Sequence, residues 1–247
     1  MALLESSAAP AAKKSIIELR YIRMRNTPEN QMQRTADFLK NSAVPALRRA
    51  GVGPLGFFAS VIAPDTPFIL ALAAFPNMAA MEAAREKEAA DQEYVRGRDA
   101  YNTAPGLSFE RLESLLLRCF DVMPAVEPPP NDGKRPAKIF ELRMYESNNG
   151  TTLARKIKMF NEGEAGIFKR LGMQPVFFAE TLIGPKMPSL VYMLSYDDLA
   201  ARDRLWKAFG SDPEWQKLRV QPGYSDAEIV SNISNAILRP LPFSDIR

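Results

Sequence analysis

Glutamate and arginine alternate in Ile17-Glu18-Leu19-Arg20-Tyr21 and again in Phe140-Glu141-Leu142-Arg143-Met144-Tyr145. Side chains alternate across a strand, so Glu18 shares a face with Arg20, and Glu141 shares one with Arg143 and Tyr145. A carboxylate beside a guanidinium can do chemistry. The acid can serve as a general base, and the arginine fork suits bidentate contact with a ligand carboxylate or stabilisation of an oxyanion. The same pairs can equally be ionic struts holding two parts of the chain together, because buried charges are costly unless paired. Tyr145 and Tyr192 can border the pocket and supply hydroxyls, or be ordinary sheet aromatics. The candidate ligand-binding residues are therefore Arg143, Glu141, Tyr145, Tyr192, Arg20 and Glu18.

Much other chemistry is excluded by composition. The 247 residues contain no histidine, which removes Ser-His-Asp and Cys-His catalysis and histidine-ligated zinc or non-haem iron. The lone Cys119 cannot form an intrachain disulfide or a thiolate cluster, and its apolar run reads as a buried structural thiol. There is no Walker loop and no G-x-G-x-x-G. No cofactor and no metal are expected. A net charge of +3 without a long basic run argues against nucleic acid. No stretch approaches the roughly 20 apolar residues of a membrane span.

The elements that must position the candidates repeat. Gly51 and Gly172, Pro54 and Pro175, Pro64 and Pro185, Asp91 and Asp212, and Arg118 and Arg239 all lie 121 residues apart. A register held from first strand to last is a tandem duplication. Each copy reads as strand (15–23 and 137–145), amphipathic helix, two strands joined by Pro64-Asp-Thr-Pro67 or Pro185-Lys-Met-Pro188, a second helical stretch (77–98 and 198–209) and a last strand (109–117 and 230–238). Thr27-Pro28 is expected to cap the first helix, and Gly51 and Gly172 to end the helices. The apolar stripe Leu153, Ile157, Phe160, Phe168, Leu171 lapses near Glu164.

The order βαββαβ is the ferredoxin-like unit, so the fold class is α+β, with two tandem repeats. Helices on one side leave each antiparallel sheet with a bare face, and two such faces are expected to pack together as an eight-stranded, barrel-like unit. The chain divides into a flexible segment 1–14, a first repeat 15–120, a Pro-rich linker 121–136 and a second repeat 137–247. The apolar side of each first strand is expected to face the helices, and the Glu/Arg side the lumen between the sheets. Because Tyr145 and Tyr192 stand opposite Ile22 and Ala71, a single site is expected nearer the second copy.

Phe140-Glu-Leu-Arg-Met-Tyr145, Gly172-Met-Gln-Pro175, Tyr192-Met-Leu-Ser-Tyr196 and Asp212-Pro-Glu-Trp215, in this order and spacing, resemble the NIPSNAP family of the dimeric α/β-barrel superfamily. The first half is similar as a diverged copy, with Tyr94 in place of the tryptophan. The resemblance implies the barrel fold and no defined activity; eukaryotic relatives are associated with mitochondria and vesicle trafficking. Haem enzymes of the superfamily use an axial histidine, which this chain lacks. Three functions stay open. One is a barrel binding a small molecule, anions included, in the cavity between its sheets. Another is a cofactor-independent monooxygenase- or isomerase-like enzyme, with Glu141 or Glu18 as base and Arg143 or Arg20 as oxyanion stabiliser. The third is an interaction scaffold with a fully packed barrel. A homodimer is allowed but not demanded. The compartment is cytoplasmic for a native N-terminus, and periplasmic or exported if a signal peptide has been removed.

Overall fold

Strand β1 (Ile16–Arg23) carries the first Glu-x-Arg, and its counterpart β5 (Ile139–Glu146) carries the second. The computed structural model describes residues 13–26, 28–130 and 138–247. The segment 1–12, Thr27 and the linker residues 131–137 lie outside the described residues. After β1 come α1 (Gln31–Phe38), a π-helical turn (Leu39–Ala43) and α2 (Val44–Arg49). The hairpin β2 (Leu55–Ile62) and β3 (Phe68–Phe75) follows, then α3 (Met78–Ala90), α4 (Gln92–Thr103) and β4 (Arg111–Cys119). The second half repeats this order after β5. It has α5 (Gly150–Met159), a π turn (Phe160–Glu164), α6 (Ala165–Arg170), β6 (Gln174–Ile183), β7 (Ser189–Tyr196), α7 (Leu199–Ser211), α8 (Pro213–Arg219), a short α9 (Asp226–Ile229) and β8 (Asn232–Pro240).

All strand pairs are antiparallel, and the order β1-β3-β2-β8-β5-β7-β6-β4 closes on itself. Each half contributes four neighbouring strands. The halves join at both edges, β2 to β8 and β4 to β6, so the faces meet by closure into one barrel and each of these eight strands is paired on both sides.

Local chemistry explains the boundaries. Helix α1 begins later than expected: Asn30, not Thr27, is its cap, and accepts a hydrogen bond from the Gln33 amide. Gly51 and Gly172 both take φ of 84°, and the amides of Val52 and Met173 reach back to the carbonyls of Leu47 and Phe168. That is a left-handed helix end only glycine adopts without strain. Asp91 and Asp212 cap α4 and α8 through the amides two and three residues on. The lapse at Glu164 has a structural cause. The π turn adds a residue to the helical turn and rotates the stripe, which carries Glu164 inward.

The two faces of the barrel wall reverse the expected assignment. Ile17, Leu19, Leu70, Leu72, Phe58, Phe140, Leu142, Phe177 and Met193 all point inward and fill the lumen. The Glu/Arg side of β1 and β5 faces outward, beneath the helices. Closure explains this: the lumen is ringed by all eight strands, so it takes the most apolar face, while the helices bring polar partners to the other. Phe58 and Phe177 lie in the lumen and Phe57 and Phe178 under the helices, one ring of each pair on either side. Cys119 also lies in the lumen, and burial pushes its thiol up to about 12. We therefore expect the native protein to react with a thiol reagent only as fast as it unfolds; immediate stoichiometric labelling would contradict this placement.

Candidate functional site

In the second repeat, the candidates form a closed network. Glu141 is fully buried and accepts from Arg143 Nη1 at 2.8 Å, Arg202 Nη2 at 2.7 Å and Nε at 3.0 Å, Trp206 Nε1 at 2.8 Å and Asn235 Nδ2 at 3.0 Å. Burial alone would raise its carboxyl. The Arg202 hydrogen bonds, the Arg143 charge, Asn235 and Trp206 outweigh burial and bring it down to about 2. Arg143 also donates to the Tyr145 hydroxyl at 3.3 Å and lies 4.5 Å from the centre of the Trp206 ring. The Tyr192 hydroxyl donates to that of Tyr145 at 2.9 Å. The Tyr192 ring is buried among Phe160, Phe178, Tyr145 and Phe168, with centroids 5.3 to 6.1 Å away.

A second buried pair completes this layer. Lys156 Nζ lies 3.1 Å from Glu164 Oε2, with both side chains almost wholly inaccessible. Burial pushes the Glu164 carboxyl up and Lys156 only partly offsets it. Burial also works against the Lys156 charge, but Glu164, Tyr145 and Asp226 together hold its value above that of an ordinary lysine.

The first repeat keeps the strut and loses the filling. Glu18 accepts from Arg20 Nη2 at 2.7 Å through one oxygen and from Arg85 through the other, and Arg85 also donates to Glu88 at 2.7 Å. Arg85 stands at the position of Trp206, one helical turn from the counterpart of Arg202, so each α3/α7 helix supplies an arginine to the same glutamate from a different turn. Exposure separates the copies: the Arg143 side chain is 13% exposed and that of Arg20 37%.

Beside Glu18 and Arg20 lies a cavity of about 230 Å³ between the sheet and the helices of the first repeat. Its apolar wall is Ile22, Leu39, Ala43, Leu47, Phe57, Ala71 and Ala73. The equivalents in the second repeat are Tyr145, Phe160, Glu164, Phe168, Phe178, Tyr192 and Leu194. Six of the seven are larger, and the cavity is the space that their bulk fills in the other copy. Polar groups reach it from Glu18, Arg20, Arg85, Glu88, Thr35, Tyr94 and Tyr101. The Thr35 and Tyr101 hydroxyls are 2.7 Å apart. Exposed Asn102 and Leu112 mark the opening.

Glu18 and Arg20 therefore line a cavity, while Glu141, Arg143, Tyr145 and Tyr192 fill their own. The open volume lies in the first copy, contrary to the expected bias toward the second, and between sheet and helices rather than behind the Glu/Arg face in the lumen. At the end of the barrel lies a depression of about 490 Å³, at the loops of Pro64, Asp65, Pro185 and Lys186, where Arg23 is paired with Glu113. Arg202, on helix α7, bonds Glu141, and Tyr94, on helix α4, lines the cavity. Arg85, Lys156 and Glu164 were not expected. The i, i+8 pairing of Lys156 with Glu164 depends on the π turn, and the signal for it was the lapse in the apolar stripe. Among the described residues, no group of three or more acids and cysteine is placed to hold a metal ion, and no helix is long and apolar enough to cross a membrane.

Comparison with solved structures places the fold. A candidate monooxygenase from Lactobacillus acidophilus NCFM is similar at 11% identity, over 92% of this chain and 94% of that one, with a TM-score of 0.59. An anthrone oxidase-like protein is similar at 12% identity over 94% and 93%, with a TM-score of 0.53. At these identities the likeness is one of fold. An uncharacterised NIPSNAP-like domain protein from Burkholderia xenovorans is 25% identical, over 44% of this chain and 89% of its own, with a TM-score of 0.39. No curated protein matches the chain. The NIPSNAP family model matches residues 140–245, the span from the Glu-Leu-Arg strand β5 to beyond β8. The NIPSNAP match thus falls on the second half of a closed α/β barrel, over residues 140–245.

Proposed function

We propose that the chain binds one small molecule in the cavity beneath the helices of the first repeat. The single observation behind this reading is the exchange of Tyr145, Phe160, Phe168, Tyr192 and Leu194 for Ile22, Leu39, Leu47, Ala71 and Ala73 on an otherwise duplicated scaffold. Interiors are close-packed, and a void of this size costs stability unless something fills it. At about 230 Å³ the cavity is below the roughly 300–1,000 Å³ of drug-sized sites, so the ligand is small and mostly apolar, with one polar group toward Arg20.

The charges at the polar end largely balance, since Arg20 and Arg85 are engaged by Glu18 and Glu88. That favours a neutral polar group over the anion first expected. Both Glu18 oxygens accept from guanidinium groups, an arrangement suited to holding a ligand rather than to taking its proton. We take 15–120 and 137–247 as the two units and 121–136 as their connector. Closure supplies within one chain what two copies of one repeat would supply together, so a homodimer is not needed to complete the site.

Binding to the native state raises the melting temperature by mass action. Saturating toluene is expected to raise that of the wild-type protein, and Ala73→Leu, which installs the residue of the second repeat, to shrink the rise. No rise in the wild type, or an equal rise in the variant, would contradict this location.

A further inference from the structure

The duplication supplies an internal template for the ligand. Residue by residue, the strand register is the same in both halves. Arg20 pairs across to Ala71 and Arg143 to Tyr192, while Ile22 pairs to Ile69 and Tyr145 to Leu190. The position above Ala71 is therefore the position of the Tyr192 side chain. In the second repeat that position holds a phenol ring, walled by Phe160, Phe168 and Phe178. Its hydroxyl bonds that of Tyr145, which in turn accepts from Arg143. In the first repeat the walls persist as Leu39, Leu47 and Phe57, and the arginine persists as Arg20, whereas both phenols are gone.

We propose that the first-repeat cavity takes a phenol: a planar aromatic ring seated over Ala71, with its hydroxyl accepting from Arg20. This rests on the reading that the cavity is a ligand site, and names the ligand's chemical class. Three features favour a phenol over other small molecules. The wall is apolar and flanked by Phe57, so a ring gains contact on both faces. Arg20 donates to Glu18 and Ser114, and the strand hydroxyl that Arg143 meets at Tyr145 is missing beside it, because Ile22 replaces Tyr145. A hydroxyl satisfies that donor without burying a further charge, whereas a carboxylate would upset the balance that Glu18 and Glu88 already strike with Arg20 and Arg85. Size agrees, since an apolar cavity of about 150 Å³ already admits benzene and this one is larger.

The test is calorimetric titration of the full chain with 4-ethylphenol, ethylbenzene and 4-ethylbenzoate, on the wild type, Ala71→Tyr and Ala73→Leu. The proposal expects 4-ethylphenol to bind the wild type roughly tenfold or more tighter than the other two, the effect of one hydrogen bond from a charged donor. It also expects both variants to lose most of that affinity. Ala73→Leu is the milder change and keeps the test decisive if Ala71→Tyr does not fold. Equal or tighter binding of ethylbenzene or 4-ethylbenzoate, abolished by the variants, would overturn the phenol assignment and leave the cavity reading standing. No binding of any probe, or 4-ethylphenol binding that survives both variants, would overturn both.

Discussion

Tyr192→Ala is expected to destabilise the protein by about 3–5 kcal/mol, the range for removing a large aromatic side chain from a core, and to lower the melting temperature by roughly 10 °C or more for a chain of this size. Tyr192 is fully buried at the centre of the second repeat's aromatic cluster, so the surrounding rings cannot collapse onto the gap without disturbing Phe160, Phe168 and Phe178. The variant also converts the second repeat into a partial copy of the first, since alanine is what the first repeat has at this position. A small phenol added to the variant should therefore recover part of the lost stability, in proportion to the logarithm of its concentration. The thermal midpoint with and without 4-ethylphenol reads both effects. A loss below about 1 kcal/mol would mean that the cluster is loosely packed, contrary to close-packed interiors.

The two glutamates are expected to respond very differently to truncation. Glu141→Ala leaves the buried Arg143 without a carboxylate and Arg202 with Asp203 alone, a change expected to cost about 3–5 kcal/mol. Glu18→Ala should cost nearer 1 kcal/mol, because Arg20 and Arg85 are more exposed and water can replace the acid. The pH dependence of Glu141→Gln adds a signature that packing loss alone would not give. With its folded value depressed to about 2, the Glu141 carboxylate contributes stability above its unfolded value near 4.5, and that contribution is lost as pH falls from there toward 2. That lowering is worth on the order of 3 kcal/mol. Glu164 works in the opposite sense, since burial raises its value and its ionisation weakens the fold as pH rises. Comparing Glu141→Gln with the wild type cancels that contribution. The stability gap between them, measured by denaturant unfolding, should be constant near neutrality and close between about pH 4.5 and 2. A gap that does not change across this window would contradict the network.

Much of the fold was legible because duplication writes it twice. Offsets of 121 residues, and of 123 for the first strand, fixed strands, hairpins and helix ends together, and the last strand of each copy is a strand in both. The facing of β1 and β5 was not legible. Both sides of these strands are buried, one by the lumen and one by helices, and alternation marks two sides without saying which is which. The deciding contacts come from Arg85, Arg202 and Trp206, some 60 residues or more along the chain. The side on which the cavity opens was not legible for a related reason. Tyr145 and Tyr192 look like ligand contacts because they carry hydroxyls, but a large residue occupies space, and the site opens where its counterpart is small. Ala71 and Ala73 were the informative residues, and they carry no chemistry of their own.

The central claim is that the first repeat holds a ligand where the second holds its own side chains. A crystal structure of the wild-type protein soaked with 4-ethylphenol tests it most directly. The account predicts one ring over Ala71, between Leu39, Leu47 and Phe57, with its hydroxyl within hydrogen-bonding distance of the Arg20 guanidinium. A ring found only at the end of the barrel, against Tyr21 and Met144, would contradict it.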